Sequence, residues 1–261
     1  SAGSFTTDGV DKMRAKKDAL LGLIYFENAV KTVHIHDTTC VIIPASLNRN
    51  GMVITERCKI CGKVYDGYTV NALASIKLNQ TKYVYNGKSF TPNVIVTDVK
   101  GDVPDNSSDY YTVKYSNNKT VGTATATITF KNYYDGTFKR TFVINPKGTT
   151  LTGVTADKKG FTAKWNKQAT QTTGYQIQYS TNKNFKKAKT VTVKNNKTLT
   201  KKVAKLAAGK KYFVRVRTYK TVNGKNYYSS WSKAKPVSTK NGQHQDLRGG
   251  PPGRPEKVEI S

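Results

Sequence analysis

Hydrophobic and polar residues alternate along most of this chain, from about Ala74 to about Lys240. The period is two, the spacing at which a half-buried strand points successive side chains to opposite faces of a sheet. Segments with this pattern form two blocks, the first with YTVKYS, TATATITF and TFKRTFVI and the second with GFTAKW, GYQIQYS, TVTVK and KYFVRVRTYK. Between two short runs of the first block, Asn86-Gly87 predicts a hairpin because both residues tolerate positive φ. The pattern therefore predicts a mainly β protein built from two antiparallel sandwiches in tandem.

Before and after these two blocks, the hydrophobic and polar residues no longer alternate with a period of two. From Thr6 to about Thr32 the spacing predicts a short helix, which Thr7 or Asp8 can cap. The apolar residues near one face of that helix are Met13, Leu20, Leu21, Ile24 and Val30. Beyond Lys240, Gly, Pro and polar residues dominate, so we expect disorder in place of a packed core.

Turn-forming residues place the boundary between the two sandwiches. Asn145-Pro146-Lys147-Gly148 interrupts the strand pattern, as expected of a connection between domains. The predicted organisation is a helical segment 1–32, a Cys/His segment 33–73, a first sandwich 74–147, a second sandwich 148–240 and a disordered tail 241–261.

The second sandwich carries a set of landmarks at characteristic places. Trp165 closes GFTAKW, Leu206 lies six residues before Tyr212, and YSSWS precedes the last strand. With GYQIQYS and LAAGKKYFVRVRTY, these residues make the block resemble a fibronectin type III domain. The resemblance implies a β-sandwich without a catalytic site. The composition agrees, because Asp157 is the single carboxylate of 148–240 and the block has no His or Cys for acid–base or metal chemistry.

The first sandwich resembles the bacterial Ig-like repeats that precede such domains in surface and secreted proteins of Gram-positive, clostridia-like bacteria. The segments IKLNQTKYVYNGKSFTPNVIVTD, YTVKYSNNKTVGTATATITF and YDGTFKRTFVINPKGT carry the likeness in order and in spacing. The resemblance implies a spacer, an adhesin repeat or a carrier attached to a secreted enzyme. It also implies an extracellular location, either secreted or associated with the cell surface.

The charge of the chain is strongly asymmetric. The formal net charge is +28, and residues 148–240 alone hold 22 Lys and Arg against one Asp. A field of this sign attracts polyanions, so the expected partners are anionic cell-wall polymers or host glycans and surface proteins. The residues predicted to face outward and bind them are Lys201, Lys202, Lys210, Lys211, Arg215, Arg217 and Lys220. The alternative is a lysine coat that only keeps an extended stalk soluble.

Two of the three cysteines, Cys58 and Cys61, lie in the stretch TERCKICGK. A Cys-x-x-Cys turn can place two thiolates on one tetrahedral cation, and a second pair of N or S donors then closes a structural Zn²⁺ site. The candidates for that pair are His34, His36 and Cys40. The segment is similar to a small module found before these Ig-like repeats, although related segments more often have a cysteine just before the histidine, where His34 stands here.

Other states of the cysteines stay open. One is a Cys58–Cys61 disulfide with Cys40 reduced, and another is thiols without a ligand. A redox pair is disfavoured, because nothing around Cys58 predicts the strand and helix that such a motif joins. A metal held by all these donors would have no open coordination position, so zinc here would be structural rather than catalytic.

These observations favour a non-catalytic extracellular region that acts as a spacer and as an adhesion or polyanion-binding unit. An alternative is the C-terminal accessory region of a secreted hydrolase, and a second is a nucleic-acid-binding protein. The second is disfavoured, because proteins that bind single strands expose aromatic residues interleaved with arginine, whereas this chain is rich in lysine with scattered tyrosines. We expect monomeric modules without a membrane span, since no apolar run reaches the roughly 18 residues that a span needs.

Overall fold

The computed structural model describes residues 24–27, 32–35, 38–101 and 107–241. Within these residues the protein is mainly β, with one short helix, α1 Ser107–Tyr110. The chain divides into two compact units, with the main boundary between Ile144 and Asn145. No helix of the described part is long and apolar enough to cross a membrane. The predicted fold class, tandem sandwich-like sheets, is confirmed in this part of the chain.

The first unit consists of short antiparallel sheets. In chain order, the strands before residue 146 are β1 Ile24–Glu27, β2 Thr32–Ile35, β3 Thr38–Ile43, β4 Gly51–Cys58, β5 Val64–Val70, β6 Leu73–Leu78, β7 Lys82–Val84, β8 Val94–Asp98, β9 Tyr111–Ser116, β10 Gly122–Phe130 and β11 Thr137–Asn145. β3, β4 and β5 form one sheet, β6 pairs with β8, and β7, β11, β10 and β9 form a four-stranded sheet.

The end of the predicted N-terminal helix is wrong. Residues 24–27, which the helical prediction included, form β1 and pair antiparallel with β2 in the register Ile24↔Ile35. The sequence IYFE combines a β-branched residue with two aromatics, which favour an extended strand once a partner is present. The rest of the predicted helix lies outside the described residues.

The predicted Asn86-Gly87 hairpin is also wrong. Gly87 does have positive φ, 83°. However, β7 before it pairs with β11, and β8 after it pairs with β6, so the turn does not join two neighbouring strands. The positive φ of Gly87 agrees with the prediction, but the pairing of β7 depends on β11, more than 50 residues away in the chain.

One hydrophobic core serves both the cysteine segment and the first sandwich. Ala45 and Val53 from the cysteine segment are buried in the same cluster as Ile76, Val96 and Ile128. Gly51 is the first residue of β4, and a Cβ atom on it would come within 2.3 Å of the backbone nitrogen of Ala45. The cysteine segment is therefore packed on the sandwich through its own buried residues.

The second unit is a β-sandwich of two antiparallel sheets. Its strands are β12 Leu151–Asp157, β13 Gly160–Trp165, β14 Gly174–Ser180, β15 Lys189–Val193, β16 Thr200–Val203, β17 Lys211–Val222, β18 Lys225–Tyr228 and β19 Lys235–Ser238. β12, β13 and β16 form one sheet, and the five-stranded sheet has the order β15-β14-β17-β18 with β19 also paired to β17. The inward residues of both sheets, including Trp165 at 1% exposure, Tyr175, Ile177, Val214 and Val216, form its core.

Candidate polyanion-binding surface and cysteine knuckle

The lysines predicted to bind polyanions lie on both sheets of the second unit. Lys201 and Lys202 are exposed on β16, in the three-stranded sheet. Lys210 and Lys211 are exposed at the start of β17, and Lys220 is half-buried near its other end. The structure therefore spreads these cations over the sandwich, and it does not gather them into one compact site.

The two arginines of the predicted surface are part of an aromatic stack. The Cζ atom of Arg215 lies 3.8 Å from the ring centroid of Phe185 and 4.8 Å from that of Trp231. The Cζ atom of Arg217 lies 4.3 Å from the Trp231 centroid and 3.9 Å from that of Tyr228. We call this series, Phe185–Arg215–Trp231–Arg217–Tyr228, the arginine ladder.

Glutamines of the neighbouring strand hold the guanidinium groups of the ladder. Arg215 donates through Nε (2.8 Å) and Nη2 (2.5 Å) to Oε1 of Gln178. Arg217 donates through Nε (3.0 Å) and Nη2 (2.7 Å) to Oε1 of Gln176. Burial lowers the pKa of both arginines, because the charged form loses hydration. The guanidinium groups are thus fixed in place and partly shielded from water on the outer face of the sheet, and the exposed lysines carry the more accessible charge.

The segment YSSWS supplies the ladder with its tryptophan. The backbone N–H of Thr218 donates to Oγ of Ser229, and that of Val216 donates to Oγ of Ser232, both at 3.0 Å. These serine hydroxyls take the place of backbone carbonyls beside β17, so Trp231 between them is held over the arginines. Sequence reasoning placed both arginines outward but missed the ladder. The sequence feature that could have revealed the glutamine–arginine contacts is Gln-x-Gln in GYQIQYS together with Arg-x-Arg in KYFVRVRTYK, because these two segments pair as neighbouring strands.

Cys58 is the last residue of β4, and Cys61 lies in the tight turn that follows it. The backbone N–H groups of Ile60 and Cys61 both donate to Sγ of Cys58 at 3.4 Å. Gly62 N–H donates to the carbonyl of Cys58 (3.0 Å), and the N–H of Cys58 donates to the carbonyl of Lys63 (2.9 Å). Cys58 is 1% exposed and Gly62 has φ of 73°, a conformation that favours glycine. We call residues 58–63 the cysteine knuckle.

The other predicted metal ligands lie apart from the knuckle or are not described. Cys40 is exposed on β3, at an irregularity between Thr39 and Val41. Across the described ranges, no three His, Cys, Asp or Glu side chains come together as a group that could hold a metal. His34 is in β2, where only the backbone is described, and His36 lies outside the described residues. The zinc site therefore stays a prediction.

Comparison with known families identifies the second sandwich. The fibronectin type III domain family matches residues 145–235, the part of the chain with the ladder and the core around Trp165. Residues 145–235 are a fibronectin type III domain. This confirms the resemblance derived from Trp165, Tyr212 and YSSWS. An Ig-like identity for residues 74–147 and a bacterial source stay predictions.

Solved structures also resemble parts of the chain. "Myokine structure" has 15% identity and a TM-score of 0.31, covering 37% of this chain and 99% of its own. The chicken CNTN1 FN1–FN3 domains have 12% identity and a TM-score of 0.32, covering 83% of this chain and 84% of theirs. A β-1,2-glucanase from Parabacteroides distasonis has 14% identity and a TM-score of 0.31, with coverage of 57% and 19%. No curated protein matches the chain in sequence.

Proposed function

We propose that this protein is a non-catalytic, extracellular modular region that acts as a spacer and binds anionic cell-wall polymers or host glycans through its fibronectin type III domain. The observation that carries the proposal is the charge of residues 148–240, in which 22 Lys and Arg accompany one carboxylate. A solubilising coat needs only charge of either sign, whereas this domain excludes one sign almost completely. Its lysines are exposed on both sheets, which suits a polymer that wraps the domain.

The electrostatic nature of this binding predicts its dependence on salt. A polyanion bound by many lysines releases condensed counterions, so its affinity should fall about tenfold or more between about 50 mM and 200 mM salt. Heparin and wall teichoic acid are suitable probes, and binding is measured by isothermal titration calorimetry at both salt concentrations. Affinity that does not change with salt, or the absence of binding at low salt, would contradict the proposal.

Matched variants separate charge from general damage to the domain. Replacing Lys201, Lys202, Lys210 and Lys211 by Gln should weaken heparin binding by about tenfold at low salt, because each lysine adds a favourable contact with the polymer. The same positions changed to Arg keep the charge and should bind as the unchanged chain does. If the Arg variant loses as much affinity as the Gln variant, the lysines act through structure and the electrostatic account is wrong.

We propose in addition that the cysteine knuckle binds a structural Zn²⁺. The supporting observation is the pair of N–H donors on Sγ of Cys58, since amide hydrogen bonds stabilise the thiolate that a metal requires. Thr38, the first residue of β3, is paired with Cys58, and His36 comes two residues before Thr38 in the sequence. The residues that would hold the metal are Cys58, Cys61, His34 and His36. Bound zinc would close the knuckle and contribute folding free energy.

Metal analysis of two cysteine variants tests this site. Chain purified without chelator should contain about one Zn²⁺ per molecule, and Cys58→Ser should abolish it because one of two thiolates is lost. Cys40→Ser is the matched control and should keep its metal, since Cys40 is exposed apart from the knuckle. Chain without metal and with a Cys58–Cys61 disulfide would overturn the zinc proposal. Loss of zinc in Cys40→Ser would overturn the proposed set of ligands.

A further inference from the structure

We propose that the fibronectin type III domain has a pocket for a single tetrahedral oxyanion, sulfate or phosphate, carried on a sugar or polyol. The proposal rests on the polyanion-binding function above and gives that function a specific subsite. The pocket is a cavity of about 480 Å³ at the end of β14, where the chain turns towards β15 and where β17 begins. None of the residues predicted from the sequence to bind polyanions lines it.

Three lysines give this cavity its charge. Lys186, Lys187 and Lys189 line it, and none of its lining residues carries a carboxylate. All three ammonium groups belong to exposed residues on one short stretch of chain, so they repel each other until an anion neutralises them. Lysine is a compact point charge that suits a tetrahedral oxyanion, whereas planar carboxylates are recognised best by the fork of arginine. The composition of the pocket therefore favours sulfate or phosphate.

The inner wall of the cavity is aromatic and aliphatic. Tyr179 and Tyr212 are each 9% exposed, their ring centroids lie 6.2 Å apart in an edge-to-face arrangement, and half-buried Leu206 lies beside them. Burial raises the pKa of Tyr179, and the phenol of Tyr212 raises it further, so Tyr179 stays neutral next to an anion. Such a wall can contact the C–H groups of a sugar or polyol while the lysines hold the charged substituent.

The loop that carries the lysines is already ordered. Ser180 is buried, and its Oγ accepts from the N–H of Asn182 (3.1 Å) and donates to the carbonyl of Lys186 (2.8 Å). The N–H of Phe185 donates to the carbonyl of Asn182 at 2.9 Å. Phe185 and Lys187 have φ of 59° and 52°, the strained region that non-glycine residues seldom occupy.

The arginine ladder anchors the same loop from the other side. The ring of Phe185, one residue before Lys186, stacks 3.8 Å from the Cζ atom of Arg215. The strained turn is therefore held both by Ser180 and by the ladder, and the lysines need little further ordering when a ligand binds. Preorganisation of this kind reduces the entropic cost of binding. A cavity of 480 Å³ is in the range of small-molecule sites, so it suits one unit of a polymer whose other charges lie across the surrounding lysines.

Small anionic ligands and charge-matched variants test the pocket in the full chain. The probes are a sulfated disaccharide, glycerol phosphate and glucuronate, each titrated at low salt by calorimetry. The pocket variant replaces Lys186, Lys187 and Lys189 by Gln. The control replaces Lys164, Lys167 and Lys194 by Gln, which removes the same charge from exposed positions at the opposite end of β14, near Tyr175.

The sulfated disaccharide, glycerol phosphate or both should bind the unchanged chain more tightly than glucuronate does. The pocket variant should lose about tenfold in affinity for that ligand, and the control should change by about twofold or less. All six substituted lysines are exposed, and tryptophan fluorescence verifies that both variants fold. Binding of the disaccharide alone identifies sulfated glycans as the source, and binding of glycerol phosphate alone identifies teichoic acids.

The outcomes separate this pocket from the proposed function. Equal losses in the two triple variants would overturn the pocket, because net charge alone would then explain binding. Heparin binding without binding of either small oxyanion, or a preference for glucuronate, would also overturn the pocket and leave the polyanion proposal standing. A chain that binds neither heparin nor teichoic acid would overturn both.

Discussion

Trp231 lies on the outer face of the five-stranded sheet, where the guanidinium groups of Arg215 and Arg217 both make cation–π contacts with its ring. A cation over the face of an indole ring is attracted by the quadrupole of the ring. The interaction contributes about 0.5–2 kcal/mol, with the larger values for pairs that are partly desolvated. Arg215 and Arg217 are half-buried and also bound to glutamine oxygens. The ladder therefore stabilises the sandwich from outside its hydrophobic core.

We predict that Trp231→Ala lowers the free energy of unfolding of this domain by roughly 2 kcal/mol, because two cation–π contacts and the buried part of the ring are lost together. Arg217→Lys should lower it by about 1 kcal/mol, since lysine keeps the charge but loses the fork bound to Gln176. Urea unfolding followed by tryptophan fluorescence measures both, because Trp165 remains in each variant. Lys233→Ala, an exposed change near Trp231, is the control and should stay within about 0.5 kcal/mol of the original.

An unchanged midpoint in Trp231→Ala would contradict a stabilising role for the ladder. A loss in Arg217→Lys as large as that in Trp231→Ala would show that the glutamine contact, rather than the stack, is the dominant interaction.

At the scale of elements, β14 is the centre of the fibronectin type III sandwich. It pairs with β15 on one side and with β17 on the other, and it contributes Tyr175 and Ile177 to the core. Gly174 is the first residue of β14, and the backbone of Val193 and the ring of Tyr219 lie very close to its Cα atom. A Cβ atom there would lie 2.0 Å from the carbonyl oxygen of Val193 and 3.0 Å from the ring of Tyr219.

Gly174→Ala should therefore destabilise the domain by about 3 kcal/mol or more, because backbone atoms cannot move aside without separating β14 from β15. Gly153→Ala, in β12 of the same domain, is the matched control. A Cβ atom on Gly153 would have no neighbour within 4 Å, so its effect should be about 0.5 kcal/mol or less. Urea unfolding followed by fluorescence compares the two, and equal effects would refute the steric explanation.

At the scale of the whole molecule, the two units have separate hydrophobic cores. The core of the fibronectin type III domain draws its residues from Leu151 to Val237, whereas that of the first unit draws them from Ala45 to Phe138. A sandwich of about 100 residues with its own core is of the usual size for independent folding. This arrangement suits modules that act as spacers.

We predict that residues 145–241 produced alone fold as they do in the full chain, with a free energy of unfolding, measured by tryptophan fluorescence in urea, that agrees within about 1 kcal/mol. Both tryptophans of the chain, Trp165 and Trp231, lie in this fragment, so the signal is the same in each. The control fragment 145–203 lacks β17 with its buried Val214 and Val216, and it should not fold. Failure of the longer fragment to fold would contradict the independence of the domain.

In the two sandwiches, the amino-acid sequence by itself determined where most of the strands lie and which of their side chains face inward. The inward direction of Trp165, Tyr175 and Val216 and the outward direction of Arg215 follow from a period of two, which is a local property of an extended backbone. The positive φ of Gly87 was predictable for the same reason, since it depends on the residue itself. The fibronectin type III domain was recognisable because its landmarks lie in order along one continuous stretch.

Only the tertiary structure decided which of these elements meet. The ladder joins Phe185, Arg215 and Trp231 from three separate parts of the chain, and the oxyanion pocket joins the loop after β14 to the start of β17. The pairing of β7 with β11 and the burial of Ala45 in the sandwich core depend in the same way on distant partners. Strand patterns specify a face but not a neighbour, so contacts between segments far apart in sequence emerge only when the sheets pack.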